Sequence, residues 1–138
     1  MIYNIINEAK KLGACNKVEN ADSIAELAEL FYTPQGIEFC KNNKFPKLST
    51  FRELKQEIAG YGFLVDYGPV YRENDIRSTI VGKTAGKLKF DKNNCIFTVV
   101  VMHGASVEIE ASNYVVLNVI KIGDCRVELN VDNTVIVL

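Results

Sequence analysis

The 138-residue chain has no tryptophan, one histidine, three prolines and a formal charge of −1. Each scarcity excludes something. Sixteen basic against seventeen acidic side chains leave no bulk positive charge with which to hold nucleic acid. No apolar run approaches the roughly 20 residues that cross a bilayer as a helix. The opening segment, MIYNIINEAKKLGAC, lacks the long apolar centre of a secretion signal. The four cysteines (Cys15, Cys40, Cys95, Cys125) form no CxxC pair, and His103 has no cysteine near it in sequence. Neither a metal site nor any cofactor is therefore expected, and reduced thiols are. The lack of tryptophan and of long loops also speaks against a sugar-cleaving β-helix with a stacked substrate.

What is present is unevenly placed. All three prolines (Pro34, Pro46, Pro69) lie in the first half, whereas Ile96–Leu138 holds eleven valines and five isoleucines. Positions 1–60 read as helices. Ile2, Ile5, Ile6, Ala9 and Leu12 recur at helical spacing, and Gly13 stops the run. Ser23 with Glu26 makes a capping box ahead of a second apolar face. Thr33-Pro34 starts a third helix, over Gln35 to Asn42, and Phe45-Pro46 is extended. Thr50 with Glu53 repeats the capping box and predicts a fourth helix that ends at Gly60 and Gly62. Eight acidic and eight basic side chains over 1–60 read as solvated helix faces.

From position 61 the chain repeats. Alternating segments around Leu88–Phe90, Val107–Ala111 and Val127–Val131 each predict a strand with one buried and one wet face. Val107 follows Leu88 by nineteen positions, and Val127 follows Val107 by twenty. The apolar runs at 79–81, 96–102, 114–122 and 134–138 lack clean alternation, as strands covered on both faces do. Thr79 to Thr98 keeps the same step, as do Asn94, Asn113 and Asn133 at the corners. Two strands per repeat on a period of about 19–20 residues predict a β-solenoid of about four coils. An antiparallel meander is the competing arrangement, and the shared period favours the solenoid. The fold class expected is thus α+β, with a helical cap over 1–60 and a solenoid over 61–138. The closing Thr134, Val135, Ile136, Val137 and Leu138 carry no polar cap and are the expected interaction strand, with another copy of the chain as partner.

Three residues are candidates for chemistry. His103, in the corner Met102-His103-Gly104, has the character of a general base. Left-handed acyltransferase solenoids place a histidine between subunits, but their hexapeptide repeat is absent here. Glu108 shares a wet face with Glu110, about 7 Å away by strand spacing, with Glu128 one coil on and Asp91 one coil back. Asp124 is the other acid that a pocket could join to His103. Lys83, Lys87, Lys89 and Lys92 form a local basic patch, and Gly82-Lys83-Thr84 lacks the upstream glycine and following helix of a phosphate loop.

The string Tyr32-Thr33-Pro34-Gln35-Gly36-Ile37-Glu38-Phe39-Cys40, with Phe45-Pro46 and the later Val100–Ala105 segment, resembles a group of small uncharacterised proteins of gut anaerobic bacteria and their phages or mobile elements. The resemblance spans nearly the whole chain and implies no activity, catalytic residue or cofactor. It implies an accessory protein, cytoplasmic or, if phage-derived, associated with the virion. The function expected is a non-enzymatic structural or protein-interaction module that associates with itself. The alternative is a small enzyme acting on a carbohydrate or acyl group through His103 and an outer-face acid, Glu108 or Asp124.

Overall fold

The computed structural model describes residues 2–138. The chain divides into two compact units, Met1–Tyr61 and Gly62–Leu138. The first is helical and the second is a β-solenoid.

Among the described residues, the helical unit contains six short helices and a closing 3-10 turn: α1 (Ile2–Lys11), α2 (Asn16–Glu19), α3 (Ile24–Phe31), α4 (Pro34–Asn43), α5 (Leu48–Glu53), α6 (Lys55–Ile58), then Ala59–Tyr61. Gly13 ends α1 as expected, at φ +89°, and Leu12 falls outside the helix and is exposed. Ser23 caps α3, its Oγ accepting from Glu26 N–H at 3.2 Å, while Glu26 reaches back to Asp22 N–H at 3.0 Å. Thr33 caps α4 through Gly36 N–H at 3.0 Å, with Pro34 in the first turn. Gly36 is required there. A Cβ at this position would come 2.0 Å from the Leu30 carbonyl oxygen and 2.9 Å from that of Phe31, so only glycine lets α4 start this close to the end of α3. Phe39 and Phe45 pack edge to face at 5.3 Å.

The fourth expected helix differs. It starts at Leu48 rather than after Thr50, and Lys47, its N-cap, makes no side-chain cap. Thr50 lies inside α5, buried, and its hydroxyl donates to Glu8 Oε1. Glu8 Oε2 also accepts from Lys47 N–H at 2.9 Å. A carboxylate 39 residues upstream therefore supplies the cap that the local spacing assigns to Thr50.

The solenoid alternates between two parallel sheets. One contains β1 (Phe63–Val65), β3 (Arg77–Val81), β5 (Ile96–Met102), β7 (Val116–Ile122) and β9 (Ile136–Val137). The other contains β2 (Gly68–Glu73), β4 (Thr84–Phe90), β6 (Ser106–Ala111) and β8 (Arg126–Val131). Every pairing is parallel, which excludes the meander. Inward side chains of both sheets, including Ile80, Leu88, Phe90, Phe97, Val99, Ile109 and Leu117, form one core. Phe90 and Phe97 stack across it with ring centres 4.7 Å apart. The opposite face of the first sheet is apolar and buried too (Val81, Val100, Met102, Ile122), as its unbroken apolar runs predict.

About four coils form, as the repeat predicts, but the register is not uniform. Leu88 stacks on Ile109, not Val107, and Thr98 stacks on Arg77, not Thr79. The sequence step between partners is sixteen at Phe63↔Thr79, twenty-one at Arg77↔Thr98 and twenty at Ile96↔Val116. The short step comes from the corner after β2, where only Asn74, Asp75 and Ile76 separate the strands.

Candidate functional site

In the pairing register the corner that holds His103 keeps one length, four positions from Val65 to Pro69, from Val81 to Ala85, from Met102 to Ser106 and from Ile122 to Arg126. Each passage from the first sheet to the second begins with a residue in the left-handed region: Asp66 (φ 56°), Gly82 (φ 68°), His103 (φ 58°) and Gly123 (φ 67°). These four stand above one another in the pairing register. His103 is thus a non-glycine residue in a column where the backbone favours glycine. Its neighbour Gly104 donates to the Asp124 backbone carbonyl at 2.7 Å. The corner brings Asp124 next to His103's own turn through main chain, and Asp124's side chain is exposed. The column also explains Gly82-Lys83-Thr84. Gly82 turns the chain, Thr84 Oγ1 donates to the Val81 carbonyl at 2.9 Å, and Tyr67 N–H donates to that hydroxyl at 3.1 Å. The segment is a corner with its polar groups satisfied within the solenoid.

Glu108 lies elsewhere, on the outward face of the second sheet. The register places Tyr71, Lys87, Glu108 and Glu128 in one outward column and Glu73, Lys89, Glu110 and Asn130 in the next. Glu128 is one coil beyond Glu108, as expected. The residue one coil back is Lys87, not Asp91, because the sequence step there is twenty-one. The basic patch and the acidic face therefore sit side by side, Lys87 beside Glu108 and Lys89 beside Glu110, while Glu73 and Glu128 leave the two columns net negative. A shallow cleft of about 590 Å³ runs along this face, lined by Lys87, Lys89, Glu108, Glu110, Asn130 and Asp132 among others. Neither His103 nor Asp124 lines it. Glu108 is thus kept apart from His103 and Asp124, which lie on stacked corners.

The cysteines are all free. Cys40 is buried, and desolvation pushes its thiol up to about 12. Burial likewise raises Cys125 above the ordinary thiol value. Both changes disfavour the thiolate. Among the described residues, no group of three His, Cys, Asp or Glu side chains could hold a metal ion, and no helix is long and apolar enough to cross a membrane.

The last coil is where the surface departs most from the pattern of the rest. The inward column Leu88–Ile109–Leu129 is fully buried at its first two members, yet Leu129 is 42% exposed. Val131, above Ala111, is 38% exposed, and Val137, above Leu117, is 41% exposed. Ile136 and Leu138 are more exposed still, while Thr134 and Val135 are half-buried. The expected interaction strand thus forms part of a wider apolar end to which β8 also contributes. That contribution was hidden in sequence because Val127, Leu129 and Val131 have the same alternation as the buried strands.

Asp132 and Thr134 fix the corner between β8 and β9. Asp132 Oδ1 accepts from Thr134 N–H at 2.9 Å and from its hydroxyl at 2.5 Å, and Tyr114 N–H donates to Thr134 Oγ1 at 3.1 Å. The Thr134 hydroxyl, followed by its N–H, holds the Asp132 carboxyl below its ordinary value. In comparisons with known proteins, no family model, no curated protein and no solved structure matches this chain.

Proposed function

We propose that this protein is a non-enzymatic interaction module that associates with itself through the last coil of its solenoid. The observation that carries this reading is the exposure of Leu129, Val131 and Val137, whose counterparts one coil back are buried core. Side chains in these columns fill the core elsewhere, and covering them removes apolar surface from water. A second copy offers the same apolar end and the same unpaired strand edges. Separation of His103 from Glu108 supports a role without catalysis. The resemblance to small proteins of gut anaerobes and their mobile elements supports an accessory role of this kind.

The test is the oligomeric state. Light scattering on the full chain should give a dimer or larger species, and deletion of Thr134–Leu138 should lower the assembly state or solubility. A wild-type chain that is monomeric at tens of micromolar would overturn the proposal.

A further inference from the structure

The two edges of the second sheet are built differently. At one edge, β2 carries Pro69, which has no N–H to offer, and places Arg72 in the inward column that holds Leu88, Ile109 and Leu129 in the other coils. Both are devices that block strand addition. At the other edge, β8 has no proline and no inward charge, and its inward residues are Val127, Leu129 and Val131. One edge is closed to pairing and the other is open.

The hydrogen bonds of β8 say which groups are on offer. Arg126 N–H donates to the Ala105 carbonyl at 3.0 Å, and Asp132 N–H donates to that of Ala111 at 3.3 Å. Even-numbered residues thus point their backbone groups at β6, and by the alternation of a parallel ladder Val127, Leu129 and Val131 point theirs outward. A second β8 arriving antiparallel must match odd residues with odd, which keeps inward side chains facing the core.

Side-chain chemistry then selects among the allowed registers. Centring on Glu128 opposes Glu128 to itself and Asp124 to Asp132, and centring on Asn130 opposes Glu128 to Asp132; both place like charges opposite each other. Centring on Leu129 opposes Leu129 to Leu129, Val127 to Val131, Glu128 to Asn130 and Arg126 to Asp132, the unlike pairs occurring twice by symmetry. Centring on Val127 opposes Arg126 to Glu128 but sets Leu129 against Cys125 and Val131 against Gly123, losing most of the apolar match. We infer that two copies join by antiparallel pairing of their β8 strands across a two-fold axis at Leu129, with Arg126 of each copy opposite Asp132 of the other. The inference rests on the self-association proposed above and specifies its geometry.

Disulfide trapping tests it on the full chain, in a C15S/C125S background that removes the exposed Cys15 and the adjacent Cys125. Directly opposed residues of such a pair lie about 5.5 Å apart at Cα, within disulfide reach, whereas a four-residue offset puts them roughly 14 Å apart, beyond it. L129C should form a covalent dimer under mild oxidation. V127C alone should not, but mixed with V131C it should give the V127C–V131C heterodimer. The mixed pair also answers the question if L129C folds poorly. Trapping by V127C alone, without L129C, would move the axis to Val127 and overturn the inference. A chain that oligomerises by light scattering yet is trapped by neither variant would overturn this geometry while leaving self-association standing. A monomer would overturn both.

Discussion

Asn74 and Asp91 clasp each other across successive coils. Asn74 Nδ2 donates to Asp91 Oδ1 at 2.8 Å, and Asp91 N–H donates back to Asn74 Oδ1 at 2.9 Å. Lys92 N–H donates to the same oxygen at 3.2 Å, and Asn74 holds a left-handed backbone at φ 55°. The pair ties the tight corner after β2 to the longer corner after β4. It does so where the two coils differ most in length, and where the repeat alone cannot keep them in step.

Asn74→Ala should therefore cost about 2–4 kcal/mol, from lost hydrogen bonds and a left-handed alanine. Asn74→Gly keeps the backbone conformation and should cost roughly 1–2 kcal/mol. Urea unfolding of the two variants separates these contributions. Equal losses would mean that the corner is not held by its backbone conformation.

The His103 corner yields a prediction of the opposite kind. His103 stands at φ 58° in a column with glycine at positions 82 and 123, so His103→Gly relieves a left-handed backbone while His103→Val worsens it. His103→Val should be about 1–2 kcal/mol less stable than His103→Gly, read from urea midpoints at matched slope. Equal stability of the two variants would detach His103 from the corner's geometry and return it to consideration as a chemical group.

The solenoid was legible in sequence because alternation and corner residues share one beat. The register was not, for a physical reason. Side chains alternate with a period of two, so Val107 and Ile109 both face inward and either can stack on Leu88. Steps of nineteen and of twenty-one fit the pattern equally well. The left-handed column Asp66–Gly82–His103–Gly123 decides between them, but histidine in that column reads as a catalytic candidate until its backbone angle is known. Similarly, Thr50 and Glu53 have the spacing of a capping box, while the acceptor that holds the start of α5 is Glu8, 39 residues away from Lys47. Contacts of that range leave no local signature. Exposure of Leu129 was equally hidden, since the alternation of β8 is the same as that of β6, where Ile109 is buried.

Asp132 yields a prediction for the response of the last coil to acid. Its carboxylate accepts both the N–H and the hydroxyl of Thr134, and that hydroxyl accepts from Tyr114 N–H in the coil before. The carboxyl is held below its ordinary value of 3.8 by these bonds. A group whose folded value is depressed stabilises the fold above its unfolded value, and that contribution is lost as pH falls through the folded one. The corner between β8 and β9 should therefore stay intact at neutral pH and loosen only in acid below 3.8. The Thr134 amide resonance should report a titration midpoint below 3.8 in the wild type. Thr134→Val, which removes the hydroxyl donor, should raise that midpoint toward the ordinary value, and Asp132→Asn should abolish the titration. If Arg126 of a second copy also faces Asp132, diluting the protein until it dissociates should raise the wild-type midpoint, because a nearby guanidinium favours the charged carboxylate. A midpoint at or above 3.8 in the wild type would show that the Thr134 bonds do not hold the carboxylate in solution.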